Sequence, residues 1–167
     1  MMMTLDDLDF LTSARGEILL AHLAGCDLSP QLRLSLVSKL RKDYTMTQVS
    51  GALTLAETRI RAVHKFGDKA HQLFFTPDAL EQASDPRIRA YRAGRFEHQH
   101  VTDFCCGVGA DSFALSHHSE SVFGIDNDPL RVAMARLNAE ILGIQNVEFI
   151  LDDVTTCDLT SNGTFFY

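Results

Sequence analysis

The sequence predicts an α/β fold in which an N-terminal helical domain (residues 1–96) precedes the first half of a doubly wound parallel sheet (residues 97–167). Three observations carry this. Up to Gly94 the apolar residues recur at helical spacing between cap and proline signals. From His100 the pattern becomes strand, helix, strand, helix, strand, the alternation of a parallel sheet with right-handed crossovers. A glycine turn, Gly107-Val108-Gly109, follows the first apolar run, and an acid ends the second.

The helical part begins with residues 5–24, read as one or two helices with Ser13 as an N-cap, Gly25 as the stop, and Ile18, Leu19, Leu20 and Leu23 facing a core. Ser29-Pro30 opens the next helix, which runs to about Lys42 and repeats Leu32, Leu36, Val37 and Leu40. Residues 47–66 form a longer helix with a stripe of Leu53, Ala56, Ile60 and Val63, an opposite face of Arg59, Arg61 and Lys65, and a stop at Gly67. Thr76-Pro77 and Asp85-Pro86 open short helices at 77–83 and 86–94. The second bears Arg87, Arg89, Arg92 and Arg95, either a solvated face or a phosphate-binding set.

The polar stretch 96–99 marks the boundary. Strands are expected at 101–105, 121–125, Val147–Leu151 and 164–167. Asp128-Pro129 caps a helix that carries Leu130, Ala133, Met134, Leu137 and Ile141 on one face and ends at Gly143.

Composition narrows the class. The chain has 167 residues, 46% of them hydrophobic, enough to bury a core. No apolar run approaches the roughly 18 residues of a membrane span. The acidic start MMMTLDDLDF lacks the regions of a signal peptide, so a cytoplasmic protein is expected. Cys26, Cys105, Cys106 and Cys157 include no CxxC pair, which predicts reduced thiols. Cys105 and Cys106 point to opposite faces of a strand end, and no metal site is expected. The net charge of −7 argues against a broad nucleic-acid surface. Residues 1–96 hold 13 Lys/Arg against 11 Asp/Glu, and residues 97–167 hold 2 against 11, so the acidic half is the half with the glycine turn.

The turn itself restricts the ligand. A nicotinamide cofactor needs G-x-G-x-x-G to seat its pyrophosphate, and reading from Gly107 the third glycine is Ser112. Asp103, at the mouth of the turn, repels a pyrophosphate but suits a cofactor with an ammonium and a sulfonium, as in S-adenosylmethionine. Asp126 lies 23 residues beyond Asp103, close to the roughly 20-residue interval that places an acid on a ribose diol. Asp153, just after the third strand, is placed to accept from the adenine amino group, whereas Asp128 is read as a helix cap.

The stretch DFCCGVGADSFAL, with VFGIDNDPLRVAMARLNAEILGIQNVEFILDDV, resembles the class I S-adenosylmethionine-dependent methyltransferases, whose fold is Rossmann-like. Within them it is most similar to bacterial methyltransferases that carry a THUMP-like domain, and more distantly to the trimethylguanosine synthases. The segment KFGDKAHQLFFTPDALEQASDPRIRAYRAGRF resembles the helical lead-in of the first group. The resemblance implies that Asp103, Gly107 and Gly109 form the cofactor loop, with Cys105 where the family's first glycine is common, a departure that costs little if Cys105 keeps ordinary strand dihedrals. It further implies Asp126 at the ribose, Asp153 and Asn127 at the adenine edge, and Thr76 near the methionine end.

The implied activity is methyl transfer to RNA or a nucleotide base, by in-line positioning and without a covalent enzyme intermediate. Residues that grip the target atom are expected beyond Tyr167, so no catalytic residue is assigned. Cys106 has no histidine placed to activate it as a nucleophile. The implied strand order, 3-2-1-4-5-7-6, leaves the fourth strand with an open edge, and self-association through it is expected. Two other readings stay open: an RNA- or partner-binding helical module beside a silent sheet, and an NAD-dependent oxidoreductase, which Ser112 and Asp103 weaken.

Overall fold

The computed structural model describes residues 3–156 and 164–166. In chain order the elements are α1 (Leu5–Thr12), α2 (Ala14–Ala24), α3 (Pro30–Leu40), α4 (Met46–Phe66), a 3-10 turn (Gly67–His71), α5 (Pro77–Gln82), α6 (Pro86–Ala93), β1 (His100–Phe104), α7 (Ala110–Ser116), β2 (Ser121–Asp126), α8 (Pro129–Leu142), β3 (Val147–Leu151) and β4 (Thr164–Phe166). Most helices start where a short polar side chain accepts a first-turn N–H that has no acceptor within the helix. Thr4 and Thr45 form capping boxes with Asp7 and Gln48, and Ser13, Thr76, Asp85 and Asp128 cap α2, α5, α6 and α8. Ser29 makes no such bond, so the start of α3 rests on Pro30.

The strands pair in parallel in the order β3-β2-β1-β4, as expected. After β3 the chain returns to the far side of β1, so β1 borders the point where the strand order reverses. Ligands of open α/β sheets bind outside the carboxyl ends of the strands at such a point.

α8 joins two layers. Its expected stripe, Leu130 and Met134 with Ala133, Leu137 and Ile141, shares a core with Leu8, Leu11, Leu53 and Phe75 of the helical half. Its smaller residues Val132, Ala135 and Ala139 pack with Phe113 and Phe149 of the sheet layer. Asn138, also on α8 and fully buried, accepts the Phe74 N–H at 2.7 Å. Its amide nitrogen donates to the carbonyls of Phe74 at 3.0 Å and Val108 at 3.4 Å. One side chain thus ties the segment ahead of α5 to the glycine turn.

Some residues expected in the core lie at the surface. Ile18 is 64% exposed, Ile60 58%, Leu32 48% and Val63 36%. α4 instead buries Val49, Ala52, Leu53, Leu55, Ala56 and Ala62. It is flanked by α1, α2, the 3-10 turn and α5, so four neighbours set its buried arc and no single apolar stripe describes it.

Three basic residues of the helical half act as internal staples. Arg59 donates to the carbonyls of Leu73 and Gln72, both at 2.8 Å, and lies over the Phe74 ring, and burial lowers its pKa to about 10. Lys65 donates to the carbonyls of Leu80, Glu81 and Ala83, at the carboxyl end of α5. Arg89, expected on a solvated face or at a phosphate, is buried over Phe66 and donates to the Lys65 carbonyl. Long cationic side chains cap orphan carbonyls in this way while their stems cover apolar surface.

Candidate functional site

β1 ends in a turn that carries three residues with positive φ: Cys105 at 57°, Gly107 at 58° and Gly109 at 89°. Cys105 therefore does not keep strand dihedrals. It adopts the left-handed conformation, which costs a residue with a Cβ roughly 1–2 kcal/mol and glycine nothing. The position is one where glycine belongs on backbone grounds. The cysteine pair parts as expected, Cys105 exposed and Cys106 buried. Burial pushes the Cys106 thiol far up, so it stays protonated and serves the core.

The two glycines do different work. A Cβ on Gly109 would lie 2.4 Å from Phe113 Cζ, so this position is closed by packing as well as by φ. A Cβ on Gly107 would meet no atom within 4 Å, so its bareness faces open space at the turn.

Two acids hold the turn. Asp126, at the end of β2, accepts the Gly107 N–H at 2.8 Å on one carboxylate oxygen and the Asp128 N–H at 3.0 Å on the other. Asp103, in β1, is 2% exposed, and its carboxylate accepts from the Ser112 hydroxyl. Burial raises its pKa to about 7. The Ser112 hydrogen bond opposes the rise, while Asp111 and Asp126 add to it. Ser112, which stands where a dinucleotide loop has its third glycine, is thus committed to the acid. Gly124 beside it leaves the room: a Cβ there would lie 2.6 Å from the Phe149 ring and 3.1 Å from Ser112 Oγ.

Asn127 is exposed next to Asp126. Asp153 is exposed beyond β3, and its carboxylate accepts the Thr155 N–H and hydroxyl at 2.8 and 2.7 Å, which lowers its pKa. The ends of β2 and β3 are tied where the Asp152 N–H donates to the Asp126 carbonyl at 3.1 Å. Thr76 caps α5 by accepting the Ala79 N–H at 3.1 Å. A cleft lies between α5 and the turn, lined by Ala79, Gln82 and Ala83 on one side and by 105–108, Asp111 and Arg131 on the other. Thr76 is not among its lining residues. Asp103, Cys105, Gly107, Gly109, Asp126 and Asn127 therefore surround one turn, Asp153 stands past the end of the next strand, and Thr76 anchors the helix above. The sequence marks Ser112 only as a missing glycine and does not mark Gly124 or Asn138, because their partners come together only in the folded chain. Among the described residues no group of three His, Cys, Asp or Glu is placed to hold a metal, and no helix is long and apolar enough to cross a membrane.

Residues 96–165 match the family described as "Methyltransferase domain", and residues 4–62 match a domain of unknown function. The strand order agrees with this match, and the sheet half has a partial Rossmann-like methyltransferase fold. Among individual proteins, an uncharacterized S-adenosylmethionine-dependent methyltransferase of Mycobacterium tuberculosis is 36% identical over 92 residues, 52% of this chain and 26% of that protein. An uncharacterized RNA methyltransferase of Nitratidesulfovibrio vulgaris is 34% identical over 124 residues, 71% of this chain and 26% of that one. The chain thus spans about a quarter of the length of these curated relatives. A solved methyltransferase candidate from Porphyromonas gingivalis W83 superposes over 81% of this chain and 35% of its own, with a TM-score of 0.60 at 19% identity, a likeness of fold alone.

Proposed function

We propose that the turn after β1 binds S-adenosylmethionine and that the protein transfers its methyl group to RNA or a nucleotide base. The observation that carries this reading is the buried carboxyl of Asp103 under the turn, with Asp111 and Asp126 raising its pKa further. A site with this surplus of negative charge is completed by a cation and worsened by a pyrophosphate. The open space beside Gly107 is the room such a ligand takes.

When bound, S-adenosylmethionine supplies an electrophilic methyl on a sulfonium. The residues of this chain orient it. Each Asp126 oxygen uses one lone pair on a backbone N–H and keeps another for a ribose hydroxyl. Asn127 and Asp153 serve the adenine edge, Asp103 supplies negative charge from beneath the turn, and Thr76 with α5 borders the methionine end. We further assign residues 1–96 to a helical domain and 97–167 to the cofactor domain. The segment KFGDKAHQLFFTPDALEQASDPRIRAYRAGRF supports kinship with bacterial methyltransferases that carry a THUMP-like domain. The RNA target draws support from relatives named as RNA methyltransferases, including a 23S rRNA uracil methyltransferase of Marinomonas. Because Arg59 and Lys65 are spent on internal carbonyls and Arg89 is buried, the part of this chain is to present the cofactor.

Calorimetric titration with S-adenosylhomocysteine tests the reading. Binding is expected, with Asp126→Ala reducing affinity at least about ten-fold, the loss of one charge-assisted hydrogen bond. Thermal stabilisation by NAD but not by S-adenosylhomocysteine would reverse the assignment.

A further inference from the structure

An open cavity of about 270 Å3 lies against α7 and shares Ala110 with the cleft at the turn, but no other lining residue. Residues Ala110, Phe113, Ala114 and His117, spaced at one helical face, line it together with Phe66 and Arg89. Arg89 is only 8% exposed. Its Nη2 donates to the Lys65 carbonyl at 2.6 Å and its guanidinium lies over Phe66 at 4.6 Å, but Nη1 is buried with no hydrogen-bond partner among the described residues. A buried polar group left unpaired costs about 1–3 kcal/mol, and a charged one more, so such a nitrogen marks a missing acceptor.

The surroundings define that acceptor. Asp111 and Asp85 act on Arg89 through their fields, and Asp111 Oδ1, itself buried without a hydrogen-bond partner among the described residues, lies 3.9 Å from Arg92 Nη1. Lys65 lines the same cavity, but its ammonium is committed to three carbonyls and brings no obvious donor. One unpaired guanidinium nitrogen, with an acid nearby, suits a single negative charge and disfavours the double charge of a phosphate. The remaining wall is apolar and aromatic, apart from exposed His117.

We propose that this cavity binds a small aromatic carboxylate, which accepts a hydrogen bond from Arg89 Nη1 and packs its ring against the apolar wall. The site is independent of the cofactor reading. Benzoate is the probe, titrated into the full chain and followed by thermal unfolding and amide chemical shifts. Benzoate is expected to raise the Tm and shift the amides of Arg89, Ala114 and His117, while the neutral isostere benzamide does neither. Arg89→Met should weaken benzoate at least about ten-fold, as loss of a charge-assisted bond predicts. Ala114→Leu fills the cavity and keeps the guanidinium. It should abolish benzoate binding and leave S-adenosylhomocysteine binding as in the wild type. The proposal is overturned by no benzoate effect, by equal stabilisation with benzamide, by stronger stabilisation with inorganic phosphate, or by unchanged benzoate affinity in Ala114→Leu.

Discussion

The carboxyl ends of β1 and β2 each carry a buried aspartate, and the fold treats the two in opposite ways. Asp126 receives a backbone N–H on each oxygen and joins the turn to the start of α8. Asp103 receives one hydroxyl, lies deeper, and has its pKa raised to about 7. One acid is built into the turn and the other is left short of positive charge. The difference teaches where structure ends and function begins: a carboxylate satisfied by the backbone positions a loop, and one left under-compensated awaits a ligand.

The contrast breaks most visibly with pH. The folded pKa of Asp103 lies above the unfolded value of 3.8, so its contribution to stability is complete below about pH 4 and is lost as pH rises to and through 7. The full swing is roughly 4 kcal/mol. Urea unfolding between about pH 5 and 8 should show declining stability in the wild type and a flatter profile in Asp103→Asn. Affinity for S-adenosylmethionine should change the other way, rising with pH as the carboxylate ionises.

Removing the other acid tests the opposite role. Asp126→Ala orphans the N–H groups of Gly107 and Asp128 and should cost roughly 3 kcal/mol, as denaturant titration would show.

The glycines sharpen the distinction between packing and ligand space. Gly109→Ala combines a positive φ with a clash on Phe113 and should lose about 3 kcal/mol. Gly107→Ala has the φ without the clash and should lose about 1 kcal/mol, yet weaken S-adenosylhomocysteine in calorimetry, because the added methyl enters the open space. The smallest effect is a gain. Cys105→Gly relieves a left-handed residue and should stabilise the chain by about 0.5–1 kcal/mol, read as a small upward shift in Tm.

Much of this architecture is local and was legible in the sequence. Thr76-Pro77, Asp85-Pro86 and Asp128-Pro129 announce α5, α6 and α8, because cap and proline act on their own first turn. β3 coincides with its expected span, and the 23-residue interval places Asp126 at the end of β2 beside the turn. Surface and core on α4 were less legible. Its pattern shows which residues share a face, but the burial of Leu55 and Ala62 and the exposure of Ile60 and Val63 depend on what lies against the helix.

Helix starts, the parallel sheet and the acid-glycine-acid spacing follow from the chain alone, since each rests on residues close in sequence or on the connection rules of parallel sheets, while the strand order was expected only from the family resemblance. The tertiary structure decided that Cys105 is left-handed, that Ser112 serves Asp103, that Asn138 joins the segment before α5 to the turn, and that Arg89 is buried with an unpaired nitrogen. Each of these depends on groups brought together across the chain, as with Asn138 and Phe74, 64 residues apart, where burial makes every hydrogen bond count.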